Sequence, residues 1–509
     1  MSVNSLTNGF APSAKAGPRQ WWGLAILALP CLLYSMDLTV LNLAVPHITA
    51  DLQPTGTQLL WIVDIYGFLL AGALVTMGAI GDRVGRRRLL MIGAVAFGLA
   101  SLLAAFSTTA GMLIASRALL GLAAASLAPS TLSLIRTMFQ DERQRTFAIG
   151  IWMASFSVGG AIGPLVGGML LEYFWWGSVF LIAIPLMVLL LAVGPFLLPE
   201  HRGPSGERID LTSAVLSIAA MLTLVYGVKH LAVGDPSRLV IGSLIVGLAL
   251  GWAFIARQKR FTAPFLDLDL FRRPGFSGAL IVNLAAFFLA FGTLLFLAQH
   301  LQLVLGMGTF EAGLWTLFSA AGFVAGSLAA PSLLRWMQSS SVVAASLTVA
   351  AVGFALLAAS LWWGNFGPLM AATFLFSIGL APVFALSADL MIGAAPEEKA
   401  GSAAAIAETS SELGGALGIA FLGSVVAAIY QSRALDLLPE EATQIAPALL
   451  DGISNAFAQL ATFPAQQTEA IRSAIVHAYV DSFATVALLS ALLSLVAIVA
   501  SGSLRRAVK

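Results

Sequence analysis

Four carboxylates lie inside long apolar segments of this sequence. They are Asp37, Asp64 and the pair Glu408 and Glu412, which are four residues apart. An ionised side chain at membrane depth is costly, so acids in such segments are functional candidates by default. Residues four apart share one face of a helix, and two neighbouring carboxylates in a medium of low dielectric constant do not both ionise cheaply. The pair therefore predicts a site that takes up a proton, releases it, and attracts a cation when the proton has left.

One further acid and one arginine accompany these four carboxylates. Arg117 lies inside another apolar segment and is the predicted charge partner of Asp37 or Asp64. Each residue also has a structural alternative, since Arg117 could act only to neutralise an acid and Asp64 could reach the surface from a helix end. Asp389 is an additional candidate carboxylate, with a solvated or capping role as its alternative. Aromatic rings that could offer a π-face to a bound cation are Tyr34, Trp61, Tyr66 and Phe323.

The segments that carry these residues have the composition of membrane helices. The chain of 509 residues is 59% hydrophobic and 10% charged, its mean hydropathy is +0.92, and soluble domains carry roughly 25% charged residues. Apolar runs of about 20 residues, the length that crosses a bilayer, recur along the chain. They predict an all-α membrane protein with about 14 transmembrane helices. The single cysteine, Cys31, excludes a disulfide framework and a thiolate metal site.

Basic residues set the predicted orientation. Most of the 26 lysines and arginines fall in the loops on the side of the N-terminus, and such loops face the cytoplasm. This distribution predicts an even number of spans, both termini in the cytoplasm, and a multi-pass protein of the cell inner membrane. Residues 1–20 form the predicted cytoplasmic N-terminal tail.

Two glycine-containing motifs stand out. The connection between the second and third predicted spans is a candidate cytoplasmic gate loop, in which glycines permit a tight reversal and arginines meet helix ends and anionic headgroups. Its residues are Gly78, Gly81, Asp82, Arg83, Gly85, Arg86 and Arg87. The fifth span has glycines four apart, which let a neighbouring helix approach closely, and a proline that kinks the helix. This motif comprises Gly159, Gly160, Gly163, Pro164, Gly167 and Gly168.

The gate-loop motif resembles the loop signature of the major facilitator superfamily, and the glycine motif resembles that of its drug–proton antiporters. The segments 58–66 and 400–414 resemble the fourteen-span branch, especially the Qac-type quaternary-ammonium efflux pumps. The resemblance implies two six-helix halves, residues 21–197 and 276–503, joined by two extra linking helices within 209–257. It places the family's membrane carboxylates on Asp37, Asp64, Glu408 and Glu412, and its arginine on Arg117. Two positions depart from relatives that carry acids there, namely Phe323 and Ala407.

Together these features predict a proton-coupled multidrug efflux antiporter that exports lipophilic, cationic compounds by alternating access and confers antimicrobial resistance. The alternative is a proton-coupled exporter of an endogenous metabolite, peptide or antibiotic. We expect no enzymatic activity, no cofactor other than the proton gradient, no nucleic-acid partner, contact with membrane lipid, and function as a monomer. The long outer connection 431–478 has helical apolar spacing and predicts either a helical hairpin at the outer leaflet or a passive linker.

Overall fold

The computed structural model describes residues 16–200, 211–232, 237–260, 268–396, 400–439, 442 and 447–501, and the regular secondary structure of these ranges is helical. The helices are α1 Pro18–Leu52, α2 Gly56–Val84, α3 Arg86–Ala105, α4 Ala110–Met138, α5 Glu142–Tyr173, α6 Ser178–Leu181, α7 Ala183–Leu197, α8 Leu211–Ala232, α9 Arg238–Gln258, α10 Pro274–Gln299, α11 Thr309–Leu333, α12 Ser339–Trp363, α13 Phe366–Gly393, α14 Ala400–Leu437, α15 Ile453–Gln459 and α16 Ala465–Ser501. The all-α prediction is confirmed.

Many of these helices can cross a membrane. Among the described residues, 11 helices are long and apolar enough, and α1 makes 12 if its two arms, bent by 43° after Asp37, count as one span. Helices α5 and α8 contain shorter apolar stretches, Val158–Tyr173 and Thr212–Gly227. The exact count of fourteen spans stays a prediction.

Local sequence signals begin several of these helices. Thr55 and Gln58 form a reciprocal capping box at the start of α2, with hydrogen bonds of 3.2 and 3.0 Å. Asp141 accepts a hydrogen bond from the Gln144 amide at the start of α5. Such caps satisfy backbone N–H groups that have no partner inside the helix. Gly85 joins α2 to α3 with φ of +113°, a backbone conformation that favours glycine.

Two opposite faces of the molecule can be told apart by contacts between helix ends. On one face, the Ala16 amide donates to Gln144 and the Arg19 guanidinium donates to the Phe196 carbonyl. On the other, the Trp176 indole donates to Asp51 at 2.7 Å. We call the first the terminal face, since α1 begins there, and the second the loop face, because α15 in the 438–464 connection lies on it.

The helices pack into two groups. The first helix group, α1–α7, contains the packed pairs α1–α5, α2–α4 and α3–α4, and the second helix group, α10–α14 with α16, contains α10–α14, α11–α13 and α12–α16. Helices α8 and α9 pack on each other, and α8 also touches α2 and α14. The division into halves at residues 21–197, 209–257 and 276–503 stays a prediction that this packing pattern favours.

Each group has helix pairs in very close contact through glycines. In α5, a Cβ added at Gly163 would lie 3.3 Å from the Met36 Cα of α1, and Gly159 and Gly167 also face α1. In α14, a Cβ added at Gly414 would lie 2.6 Å from the Leu284 carbonyl oxygen of α10. Such close backbone approach requires residues without side chains. These contacts fix α1 and α14, the helices that carry Asp37, Glu408 and Glu412.

The outer connection differs from its predicted extent. Helix α14 continues to Leu437 and α16 begins at Ala465, so the connection spans 438–464 rather than 431–478. Within it, a short helical turn at Pro447–Leu450 precedes α15. Leu449 and Ile453 are 0% and 3% exposed, because this segment packs on α1, α14 and α16. The helical hairpin at the outer leaflet stays a prediction.

Candidate functional site

Asp37 and Arg117 form a buried ion pair between α1 and α4. The Arg117 guanidinium donates to the Asp37 carboxylate, and its side chain is 0% exposed whereas that of Asp37 is 14% exposed. Arg117 also donates through Nε to the Ile62 carbonyl oxygen of α2 at 3.2 Å. Of the two acids considered as its partner, the structure therefore pairs Arg117 with Asp37. A buried charge needs such a counter-charge and further hydrogen bonds to be tolerated.

Tyr66 of α2 lies beside this pair, and Asp64 lies two residues before it. The Arg117 guanidinium carbon stands 4.6 Å from the centre of the Tyr66 ring, within the range of a cation–π contact. Tyr66 is fully buried. Its ring therefore contacts the Arg117 guanidinium and is not accessible to a transported cation in this structure. Asp64 is 1% exposed, and this burial excludes the alternative in which it reaches the surface from a helix end.

Glu412 lies at the contact between the two helix groups. The Tyr34 hydroxyl of α1 donates a hydrogen bond to its Oε1 atom. Glu412 and Glu408 are both half-buried. Glu408 lies one turn toward the terminal face on the same side of α14. The Glu412 carboxylate is thus directed toward the first helix group.

A polar cluster absent from the sequence prediction holds α14 at this level. Asn283 of α10 is 0% exposed and donates to the Ser410 and Ser411 hydroxyls at 2.7 and 2.9 Å and to the Ala407 carbonyl at 3.2 Å. Its own amide oxygen accepts from the Ser387 hydroxyl at 2.7 Å. The sequence could have identified Asn283, because it is a polar residue within a long apolar segment, which is the criterion that identified the acids.

Aromatic rings line the second helix group near the acids. Phe384 lies 4.3 Å from Phe287 and 5.5 Å from Phe323, measured between ring centres. All three rings are half-buried. The structure therefore gives Phe323 an aromatic neighbour, Phe384, that its sequence position did not reveal. Trp61 is also half-buried and packs on the cluster that includes Phe68.

Asp389 differs from the other acids because its side chain is exposed. It lies one turn before the end of α13 at the terminal face. The structure thus separates Asp389 from the buried acids, and its exposure favours the solvated alternative.

The gate-loop arginines contact the end of α7. Arg87 donates to the carbonyl oxygens of Pro195 and Leu198 at 3.2 and 3.0 Å, and its side chain lies 3.6 Å from the Glu200 carboxylate. Arg88 lies 3.8 Å from the same carboxylate. Glu200 was not predicted as part of this motif. The Asp82 side chain lies outside the described residues.

Two small cavities adjoin these groups. One of about 20 Å³ borders Asp37 and lies between α1, α3 and the α6–α7 segment, and this volume admits about one water molecule. The other, about 50 Å³, lies beneath the 438–464 connection. Its polar lining consists of Gln299, Tyr430, Asp451, Ser454, Asn455 and Tyr479. Among the described residues, no group of three or more His, Cys, Asp or Glu side chains is placed to hold a metal ion.

Ionisable groups lie in apolar helices of both helix groups, and Glu412 lies at the contact between them; such groups are typical of an integral membrane transporter. The family model of the Major Facilitator Superfamily matches residues 27–419. This chain belongs to the Major Facilitator Superfamily. It is therefore a multi-pass membrane protein of a transporter family, which distinguishes it from an enzyme.

Similar proteins share nearly the whole chain. The "Multidrug efflux pump LfrA" of Mycolicibacterium smegmatis is 38% identical over 498 residues, 97% of this chain and 98% of LfrA. The "Methyl viologen resistance protein SmvA" of Salmonella typhimurium is 37% identical over 481 residues, 93% of this chain and 95% of SmvA. A solved structure of a bacterial homologue of the human lysosomal transporter Spinster has a TM-score of 0.66 at 16% identity. It covers 97% of this chain and 99% of that chain, and it shares the fold.

Proposed function

We propose that this protein is a proton-coupled multidrug efflux antiporter that exports lipophilic cations from the cytoplasm. The observation that carries the proposal is the placement of ionisable groups on both sides of the seam, with the Asp37–Arg117 pair in the first helix group and Glu412 in the second. The resemblance to proteins named as a multidrug efflux pump and a methyl viologen resistance protein supports it. Methyl viologen is itself a cation.

A proton and a drug cation can be exchanged because they compete for the same carboxylate. An ionised carboxylate in a site of low dielectric constant attracts a cation strongly, and the same oxygen atoms can instead take a proton. When a proton binds, the carboxylate becomes a neutral acid and the drug cation is released. When the proton leaves, the negative charge is restored and a new cation binds. One proton thus replaces one positive charge at the site.

The half-buried rings of Phe287, Phe323 and Phe384 suit a flat, delocalised cation. Their faces are electron-rich, and a cation over an aromatic ring gains about 0.5–2 kcal/mol depending on desolvation. Tyr34 and Trp61 are also half-buried on the first-group side of the seam. Together these rings provide apolar surface for the body of the drug while Glu412 meets its charge.

The two helix groups pack closely on the loop-face side. A Cβ added at Gly168 of α5 would lie 2.9 Å from the Thr309 carbonyl oxygen, where α11 begins. Gln302 donates to the Leu43 carbonyl at 3.2 Å. These close contacts lie on the loop-face side of Glu412. In the proposed orientation, with both termini in the cytoplasm, they close the outer end of the pathway, and the Arg87–Glu200 contacts belong to the cytoplasmic gate.

A liposome assay tests the proposal. Purified protein is reconstituted, ethidium is enclosed, and a pH gradient is imposed so that protons can flow against the direction of ethidium movement. We expect ethidium transport to accelerate with the gradient and to fall to the protein-free rate in Glu412→Gln and Asp37→Asn. Gradient-independent transport in the wild type would refute proton exchange. A cell whose drug susceptibility is unchanged on deletion but which no longer secretes a metabolite would indicate the endogenous exporter instead.

A further inference from the structure

Tyr34 is placed between the two acidic centres. Its hydroxyl donates to Glu412 in the second helix group, and its ring lies 6.3 Å from that of Tyr66, centre to centre. Tyr66 in turn lies under the Arg117 guanidinium, which is paired with Asp37. A continuous series of contacts therefore runs from Glu412 through two tyrosines to the buried ion pair.

The ring of Tyr34 is held independently of its hydroxyl. Phe156 of α5 packs against it edge to face, with ring centres 5.5 Å apart, and Trp152 packs on Phe156 at 4.8 Å. Helix α1 is itself pressed against α5 at Gly163, as described above. The hydroxyl thus projects from a fixed ring, and its direction toward Glu412 does not depend on the hydrogen bond.

A tyrosine hydroxyl has a property that suits this position. It can donate to an ionised carboxylate and accept from a protonated one. It therefore contacts Glu412 in both proton states, whereas a phenylalanine at the same position would contact neither. A hydrogen bond to a charged group contributes about 1.5–3 kcal/mol, so the hydroxyl favours one carboxylate orientation, toward the seam and away from α10.

We propose that Tyr34 is a positioning residue that holds the Glu412 carboxylate at the seam, so that a lipophilic cation meets it in a fixed orientation. This inference rests on the proposed function. It assigns a role to the Tyr34 hydroxyl in addition to the aromatic face that the ring offers to a cation. The role is carried through Glu412, and the expected signature is a change in cation affinity that depends on the Glu412 charge.

The test compares Tyr34→Phe with the wild type, because phenylalanine retains the ring and removes only the hydroxyl. Initial rates of gradient-driven ethidium transport give kcat and KM, and ethidium fluorescence polarisation in detergent gives Kd. We expect KM and Kd to rise about ten-fold in Tyr34→Phe, which corresponds to the loss of one hydrogen bond to a charged group, while kcat stays within two-fold. Tyr173→Phe, at a side chain that is 76% exposed, is the matched control for loss of a tyrosine hydroxyl.

A double-mutant cycle separates positioning from a structural role. On a Glu412→Gln background, Tyr34→Phe should shift Kd by less than two-fold, because the charge that the hydroxyl positions is gone. Equal shifts on both backgrounds, or a fall in kcat at unchanged KM, would overturn the inference. If Glu412→Gln abolishes ethidium binding, the KM and kcat of Tyr34→Phe alone decide the question. If wild-type transport depends on the pH gradient and Tyr34→Phe has wild-type KM and Kd, only this inference is refuted. If the wild-type transport rate does not depend on the pH gradient, the proposed function is refuted.

Discussion

The substitution Asp37→Asn tests how the buried ion pair contributes to stability. Arg117 is 0% exposed, so removing the Asp37 charge leaves a guanidinium in the interior without its counter-charge. Breaking a buried pair by removing one partner costs about 3–5 kcal/mol. Arg117 keeps its bond to Ile62 and its contact with Tyr66, and the cavity of about 20 Å³ beside Asp37 can admit a water. We therefore expect a loss near the lower limit, about 3 kcal/mol.

Comparison with Arg117→Met shows which of the two charges costs more stability when it is left without its partner. This variant removes the fully buried charge and leaves the acid, which is 14% exposed and borders the small cavity. A carboxylate that is partly exposed keeps some contact with water, so we expect a smaller loss than in Asp37→Asn. The double variant removes both charges, and we expect it to be more stable than Asp37→Asn alone, because two well-packed neutral side chains are tolerated better than one unpaired charge.

The assay is unfolding of purified protein in mixed detergent micelles titrated with sodium dodecyl sulfate, followed by tryptophan fluorescence. The four proteins of the cycle are measured under one condition, and the interaction free energy is obtained by difference. A loss of less than about 0.5 kcal/mol in Asp37→Asn, or a double variant less stable than either single one, would show that the pair is not held as the structure describes.

Three further predictions concern helix contact, the polar cluster and the outer connection. Gly163→Leu should abolish transport and destabilise the protein by about 1–3 kcal/mol, since α5 touches α1 there; Gly111→Ala, where nothing lies within 4 Å, should match the wild type in transport rate and melting temperature. Asn283→Ala should lower stability by about 1–3 kcal/mol in the same unfolding assay, because it leaves buried hydroxyls without their partner. Burial raises the pKa of Asp451 above that of a free aspartate, so the docked segment binds a proton more tightly than an undocked one. Lowering the pH from above the raised pKa to below it should therefore strengthen docking. The measurement is the maleimide labelling rate of Ser454→Cys divided by that of a free thiol at the same pH, because thiolate formation itself depends on pH. This ratio should fall as the pH falls, and Asp451→Asn should remove that fall.

The sequence predicted the class of site from residue types alone. Asp37, Arg117, Glu408 and Glu412 stood out because charged side chains are rare in apolar segments, and helical spacing put the two glutamates on one face. The same criterion applied to neutral polar residues would have found Asn283. Glu200 could not be predicted in the same way, since it lies in a polar stretch where one acid resembles any other until the fold brings it to Arg87.

The outer connection shows the limit of periodicity. Apolar residues at helical spacing predicted an amphipathic segment, and short helical elements are present at Pro447–Leu450 and Ile453–Gln459. Periodicity indicates that one face avoids water, but it does not distinguish lipid from protein as the surface that covers it. Asn455 donates to the Pro54 carbonyl at 2.8 Å and the Tyr430 hydroxyl donates to the Leu449 carbonyl at 2.9 Å. These bonds join the segment to both helix groups.

The sequence by itself determined that this protein is a helical membrane transporter with acids in its interior, because hydropathy and the cost of buried charge are properties of single segments. Only the tertiary structure decided which groups meet. It paired Arg117 with Asp37 rather than Asp64 and placed the Arg117 guanidinium over the Tyr66 ring. It also brought the Tyr34 hydroxyl to Glu412, which is 378 residues away in the chain. Such contacts depend on how helices pack against one another, and glycines such as Gly163 and Gly414 set that packing at positions distant in the sequence.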